Sequence, residues 1–173
     1  LAGCDPPGSL QSERCIALEL ERIAVHIGDT AALCGDVAYQ LGQVACEALR
    51  TMVINTTQFW CGNRFGKGLI RPGGSNFPLT EESAVEILRV LEDVDRRYGN
   101  VTGCVYTLPS VLGRFEDIGN VTRKQATSIG AVGMAARTCG VPRDMRATHP
   151  FQYYRKMAIN PVMSVSTIWR SST

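Results

Sequence analysis

The chain has 173 residues, 45% of them hydrophobic and 20% charged, which is enough for a globular core and ordinary for one. A net charge of +2 gives no electrostatic case for nucleic acid or an anionic membrane surface. No apolar run approaches the ~20 residues that span a bilayer, so contact with a membrane would come through partners.

The start, LAGCDPPG, has no initiator Met and no signal-peptide pattern. Gly3 reads as a helix stop and Pro6-Pro7 as a break, so residues 1–8 read as the end of a preceding helix and its loop. The chain therefore reads as the middle of a longer polypeptide.

From Ser9 to about Gly35, Ile16, Leu20, Ile23, Ile27, Ala31 and Cys34 recur at helical steps, with Ser9 or Ser12 as the cap. A second stripe follows with Leu41, Val44, Ala45, Leu49, Met52 and Val53. Gly35 and Asp36 lie at the join, which leaves open one bent helix or two within residues 9–60. Residues 61–79 form a Gly/Pro-rich loop. Thr80 then caps a helix over 80–107, with Glu81 and Glu82 in its first turn where the helix dipole favours anions. Its stripe is Ala84, Leu88, Leu91, Val94, Tyr98, Val101 and Val105, with Gly99-Asn100 as a point of weakness. Thr122 and Gln125 form a capping box that opens a short helix over 122–129. Gly130 and Gly133 end regular helix, and an irregular strand-and-turn cap occupies 130–157. Residues 164–173 carry no helix or strand pattern and read as disordered or as a truncation end. The fold class is mainly α, one domain built as a bundle of long antiparallel helices with small β or irregular elements.

Seven dispersed cysteines, Cys4, Cys15, Cys34, Cys46, Cys61, Cys104 and Cys139, include no CxxC pair, so zinc and iron–sulfur spacings are absent. Several sit on apolar stripes, as small hydrophobes do, and a reducing, cytosolic compartment fits them. The N-x-T sequons at Asn55, Asn100 and Asn120 read as chance matches.

Four stretches carry candidate chemistry. In ELERIAVHI, Glu19 and His26 share a helical face, but a di-iron Glu-x-x-His is broken by Ile23, so His26 reads as a hydrogen-bonded helix residue. Asp36 lies ~15 Å along the axis from His26, too far to pair on a straight helix. Its apolar neighbours call for a partner, and by spacing alone it reads as an N-cap of the second helix. GNRFGKGLIRPGG, with Arg64 and Arg71, falls short of a phosphate loop: one residue is missing before Gly-Lys, and Gly68 stands where Ser or Thr belongs. In ARTCGVPRDMRATHPF, Arg137, Arg143, Asp144, Arg146 and His149 crowd one punctuated segment. An internal Arg–Asp network is the reading that composition favours over a ligand site.

Taken together, ELERIAVHIGD, Asp36 ten residues beyond the histidine, GNRFGKGLIRPGG and IGAVGMAARTCGVPRDMRATHPFQYY occur in a recognisable order. Over residues 7–157 the set resembles the catalytic large subunit of membrane-bound nickel–iron hydrogenases of the formate-hydrogenlyase type. It is also similar to their relative, the 49 kDa (D chain) subunit of respiratory complex I. The resemblance implies a helical bundle with small edge strands, working in a complex with an iron–sulfur small subunit and membrane-arm subunits. It implies a cytoplasmic location, peripheral to the inner membrane through those partners.

In the hydrogenases, two terminal cysteine pairs hold nickel and iron; neither R-x-C-G-x-C nor D-P-C-x-x-C occurs here. This chain is thus expected to carry no cofactor and no metal ligands itself, the parent holding a NiFe centre or accepting quinone, with an iron–sulfur cluster in a partner. In the complex I relatives the aspartate matching Asp36 pairs with a histidine of an upstream β-hairpin beside the quinone. The resemblance therefore makes Asp36 a cavity carboxylate, and His26, Arg64, Arg71, Arg137, Asp144, Arg146 and His149 structural or cavity-wall residues. The sequence departs from the family at Val25, where Asn is usual, at Ser9, where Arg is usual, and in VSTIWRSST at the end. Two other readings stand beside the oxidoreductase fragment: a non-catalytic scaffold that kept the fold, and an independent helical metal protein. The isolated fragment is expected to be inactive, with exposed stripes that favour self-association.

Overall fold

The computed structural model describes residues 7–162. The expectations for Cys4, for the first six residues and for 164–173 fall outside that range. The chain divides between Thr107 and Leu108 into two compact units, where one domain was expected from the sequence.

The first unit is built on three long helices, α1 (Gly8–Asp36), α2 (Gln40–Cys61) and α3 (Glu81–Thr107). The join left open by the sequence is a true break, so α1 and α2 are two helices. Gly28 lies against Arg50 and Gly35 against Gln43, so α1 and α2 run antiparallel. Thr56 and Ile87 line one groove, which brings the C-terminal half of α2 beside the start of α3. The core joins Leu20, Ala24, Ile27 and Ala31 of α1 to Cys46, Leu49, Val53 and Trp60 of α2 and Ile87 and Val94 of α3. Cys15, Cys34, Cys46 and Cys61 are buried free thiols, the behaviour of small hydrophobes.

Several local expectations change. Ser9 and Ser12 do not cap α1: Pro7 precedes it without a side-chain cap, and Ser12 Oγ donates back to the Gly8 carbonyl at 3.2 Å. Leu41 and Val44 are 73% and 63% exposed, because Gly42 and Cys46 take the core side of α2. At the start of α3 Ile87 is buried where Leu88 was expected, and Leu88 is exposed. The helix runs unbroken through Gly99-Asn100, its Thr80 cap receiving the Ser83 N–H at 3.2 Å. The Gly/Pro loop holds a small hairpin, β1 (Ile70–Arg71) against β2 (Gly74–Ser75). Pro72 and Gly73, the latter at φ +75°, turn it, a type II pattern of proline then positive-φ glycine. Arg14 of α1 clips the hairpin by donating to the carbonyls of Arg71 at 2.7 Å and Gly74 at 3.2 Å.

One polar chain ties α1 to α3. Thr30 Oγ1 donates to the His26 carbonyl at 3.0 Å, which uses its only proton. Tyr98 therefore donates its phenol to Thr30 Oγ1 at 2.8 Å. Burial pushes the Tyr98 phenol pKa up, as suits a hydroxyl kept as a donor.

The second unit contains α4 (Pro109–Phe115), α5 (Arg123–Ser128), α6 (Gly133–Thr138), α7 (Met145–Thr148) and a 3-10 turn (Gln152–Lys156). Helix α4 escaped the sequence reading, although Pro109 stands at its first turn, where a missing N–H costs nothing. Helix α5 opens on the Thr122–Gln125 capping box. Gly130 at φ +71° closes it, but Gly133 at φ +62° opens α6 instead of ending a helix. Residues 130–157 are thus short helical turns, and among the described residues no strand occurs there.

Truncating Val53, which is fully buried in the core shared by α1, α2 and α3, should cost about 2–3 kcal/mol as Val53→Ala. Tyr98→Phe, which strands the Thr30 acceptor, should cost about 1 kcal/mol. Chemical denaturation of the two variants against wild type checks both, and the order Val53 above Tyr98 is the expected result.

Candidate functional site

Asp36 is the last residue of α1 and does not cap α2, whose N-cap is Tyr39 without a side-chain bond. Three residues, Val37, Ala38 and Tyr39, reverse the chain between the helices. The Ala38 amide donates to the Gly35 carbonyl at 2.9 Å and the Tyr39 amide to the Cys34 carbonyl at 2.8 Å. Ala38 takes φ +59°, the left-handed region; Val37 before it is buried, and Asp36 lies on the exposed face of the last turn of α1. The apolar neighbours in the sequence thus do not bury the carboxylate. Asp36 is exposed, and among the described residues it has no hydrogen-bond or ion-pair partner. It is a fixed, solvated acceptor with both oxygens available.

Phenols and thiols gather behind this corner. Burial raises the Tyr39 phenol pKa, helped by the nearby Cys104 and Cys34 thiols. Burial also raises the Cys34 thiol and pushes Cys46 up to about 11, so neither is a thiolate at neutral pH.

His26 lies further back on α1, its Nδ1 3.8 Å from Asp29 Oδ2. The unbroken helix keeps it away from Asp36. Arg64 is exposed and stacks on Phe65, its guanidinium carbon 4.3 Å from the ring centre. It lines, with Arg50, Glu21 and an apolar floor of Leu20, Ala24 and Leu69, a cleft of about 330 Å³. Arg71 is exposed and contributes its carbonyl to the hairpin clip. Among the described residues no three His, Cys, Asp or Glu side chains converge as metal donors.

In the second unit Arg137, Asp144 and Arg146 do converge. Asp144 is 3% exposed and caps α7 through the Arg146 amide at 2.9 Å. Arg146 grips the same carboxylate with both prongs, Nε to Oδ1 at 3.1 Å and Nη2 to Oδ2 at 2.8 Å. Arg137 Nη1 stands 3.8 Å from Oδ2 and donates to the Arg143 carbonyl at 3.4 Å. The Arg146 hydrogen bonds, joined by the Arg137 charge, lower the Asp144 pKa to about 2. Arg143 enters the network through its backbone carbonyl. His149 is exposed, its Nδ1 3.0 Å from Thr148 Oγ1, outside the cluster.

The sequence reading missed Ala38, Tyr39 and Gly42 at the corner and Arg50 in the cleft. Paired glycines at 35 and 42, each on a helix and either side of a short join, were the available signal for close approach.

A mainly α bundle with a small hairpin and an exposed carboxylate at a helix corner now has its counterpart among known proteins. The family model of the respiratory-chain NADH dehydrogenase 49 kDa subunit matches residues 36–167, and the chain belongs to that family. It is 29% identical over 157 residues to the NADH-quinone oxidoreductase D-type subunit of Thermosipho melanesiensis, covering 91% of this chain and 43% of that protein. It is 25% identical over 162 residues to the alpha subunit of the membrane-bound hydrogenase of Pyrococcus furiosus, covering 94% of this chain and 38% of that one. A chain in the structure of the membrane-bound sulfane sulfur reductase, an archaeal respiratory membrane complex, shares its fold with a TM-score of 0.86 at 19% identity. That match covers 95% of this chain and 44% of the other. The chain thus spans about two fifths of the length of the curated relatives it matches. Among the described residues no helix is long and apolar enough to cross a membrane.

Removing the tighter of the two arginines should cost more. Arg146→Ala should lower stability by about 2–3 kcal/mol and Arg137→Ala by less than half of that, read from thermal unfolding of the full chain. The sign for pH follows from the lowered carboxyl. The stabilisation from Asp144 is fully present above its ordinary value of 3.8 and is lost as pH falls towards about 2. Asp144→Asn should be less stable than wild type at neutral pH, and the difference should shrink through that acid window.

Proposed function

We propose that this chain is part of the redox subunit of a multi-subunit, membrane-associated respiratory complex. In this reading it forms one wall of the cavity where electrons from a neighbouring iron–sulfur protein reach quinone. The observation that carries it is Asp36. The family match begins at this residue, and the fold presents it as an exposed carboxylate on a rigid helix corner. A carboxylate so placed holds a proton-donating neighbour in position and stabilises its cationic form while the acceptor is reduced. The Arg137–Asp144–Arg146 cluster, matched within the same family model, serves structure: its carboxylate is buried and already engaged by Arg146 at both oxygens.

The supporting likeness to the D-type components of NADH-quinone oxidoreductases favours quinone as acceptor. The likeness to the hydrogenase alpha component supports a second reading, in which the acceptor is protons and the product H₂. A third, a scaffold that kept the fold without the chemistry, is the outcome if Asp36 is dispensable.

Asp36→Asn keeps the size of the side chain and removes its charge. In the assembled complex it should lower quinone reduction at least about tenfold while electron delivery to an artificial one-electron acceptor stays within about twofold. Loss of H₂ evolution with intact quinone reduction would select the hydrogenase reading. Full activity in both assays would leave the scaffold.

A further inference from the structure

The corner that carries Asp36 is held by contacts that neither its charge nor its own helix explains. Tyr39 lays its ring across Gly42 one turn into α2. A Cβ at Gly42 would stand 2.5 Å from Tyr39 Cδ1 and Cε1 and 3.0 Å from Cys34 Sγ. Real Cβ atoms do not make such contacts, so a Cβ at this position would displace the Tyr39 ring from its seat. On the other side Gln43 folds over Gly35, the residue before Asp36, with Oε1 2.9 Å from where a Cβ would be. Gln43 is itself held by donating to Glu47 at 3.0 Å. Between them Ala38 keeps a positive φ that an L-residue adopts only under constraint, a conformation that costs about 1–2 kcal/mol. A reversal of three residues needs no such bracing for stability alone, since a glycine at 38 would relieve the strain.

We propose that Gly42 and the Tyr39 ring are positioning residues that fix the direction of the Asp36 carboxylate. Tyr39 acts through its ring, as a brace, and its hydroxyl has no part in the chemistry. The inference rests on the reading of Asp36 given above and adds residues that nothing else assigns. The ring pressed on Gly42 sets the Tyr39 backbone, the Tyr39 amide bonds the Cys34 carbonyl, and Ala38 bonds Gly35, so the last turn of α1 is fixed from the α2 side. A carboxylate that must meet a donor within a few tenths of an ångström loses rate when such a mount loosens, and a displacement of about 1 Å can cost up to a hundredfold.

The test uses the assembled complex containing the full-length protein and four variants, Asp36→Asn, Tyr39→Ala, Tyr39→Phe and Gly42→Ala. Complex content is followed on native gels and turnover with a short-chain quinone. Tyr39→Ala should lower kcat by about tenfold with KM and complex content little changed, while Tyr39→Phe, which keeps the ring carbons, should restore wild-type turnover. Gly42→Ala should match Tyr39→Ala if the complex assembles; if it does not, the two Tyr39 variants decide. Wild-type turnover in Tyr39→Ala, or turnover lost in Tyr39→Phe as fully as in Tyr39→Ala, overturns the positioning role. If those results come with a crippled Asp36→Asn, the reading of Asp36 stands without its mount. If Asp36→Asn is also fully active, both fall.

Discussion

Helices α1 and α2 can lie back to back over most of their length only because the chain reverses in three residues. That reversal depends on backbone approach. Gly28 gives room to the Arg50 stem, Gly35 to Gln43, and Gly42 to the Tyr39 ring, all along one helix–helix seam. Glycine inside a helix carries a propensity cost of about 1 kcal/mol relative to Ala, and here each lets a side chain from across the seam or the corner approach closely. Once the seam is closed, the buried positions of both helices are set, and α3 adds its Ile87–Val94 side with Tyr98 reaching Thr30 on α1. The exposed end of α1, and with it Asp36, follows from the same closure.

Two aspartates show what the fold does with a carboxylate. Asp144 is buried, receives a backbone amide and two guanidinium prongs from Arg146, and is held ionised far into acid. Both its oxygens are engaged, and it serves the local turn of the second unit. Asp36 is the reverse case: its backbone is fixed by a strained corner and its oxygens are left to solvent. A residue whose position is over-determined and whose valences are unspent is the one suited to meet a group from outside these helices.

The long helices were legible because their periodicity is strong. Leu20, Ile27, Leu49, Val53 and Val94 sit in the core where their spacing put them. The reading failed where apolar residues outnumber the positions a seam can use. Leu41 and Val44 belong to an apolar stretch, yet Gly42 and Cys46 take the inner face because the close approach at the corner admits only small side chains. Thr122 and Gln125 announced α5, while α4, α6 and α7, of four to seven residues, are too short for any period to show. The Arg137–Asp144–Arg146 network was foreseeable from charge in a punctuated segment, though its helical turns were not. For Asp36 composition misled: apolar neighbours suggested burial, but two helical residues beyond the buried Cys34 is a rotation of about 200°, which puts Asp36 on the exposed face of α1.

The most direct test of Asp36 as part of an acceptor cavity is photolabelling. A quinone carrying a photoreactive group on its ring would be activated in the turning-over complex, and the labelled protein cut with trypsin. Label is expected in the peptide between Arg22 and Arg50, which contains Asp36 and Tyr39, together with protection of that peptide by excess unlabelled quinone. Saturable labelling confined to other peptides of an active complex would contradict a place for Asp36 in that cavity.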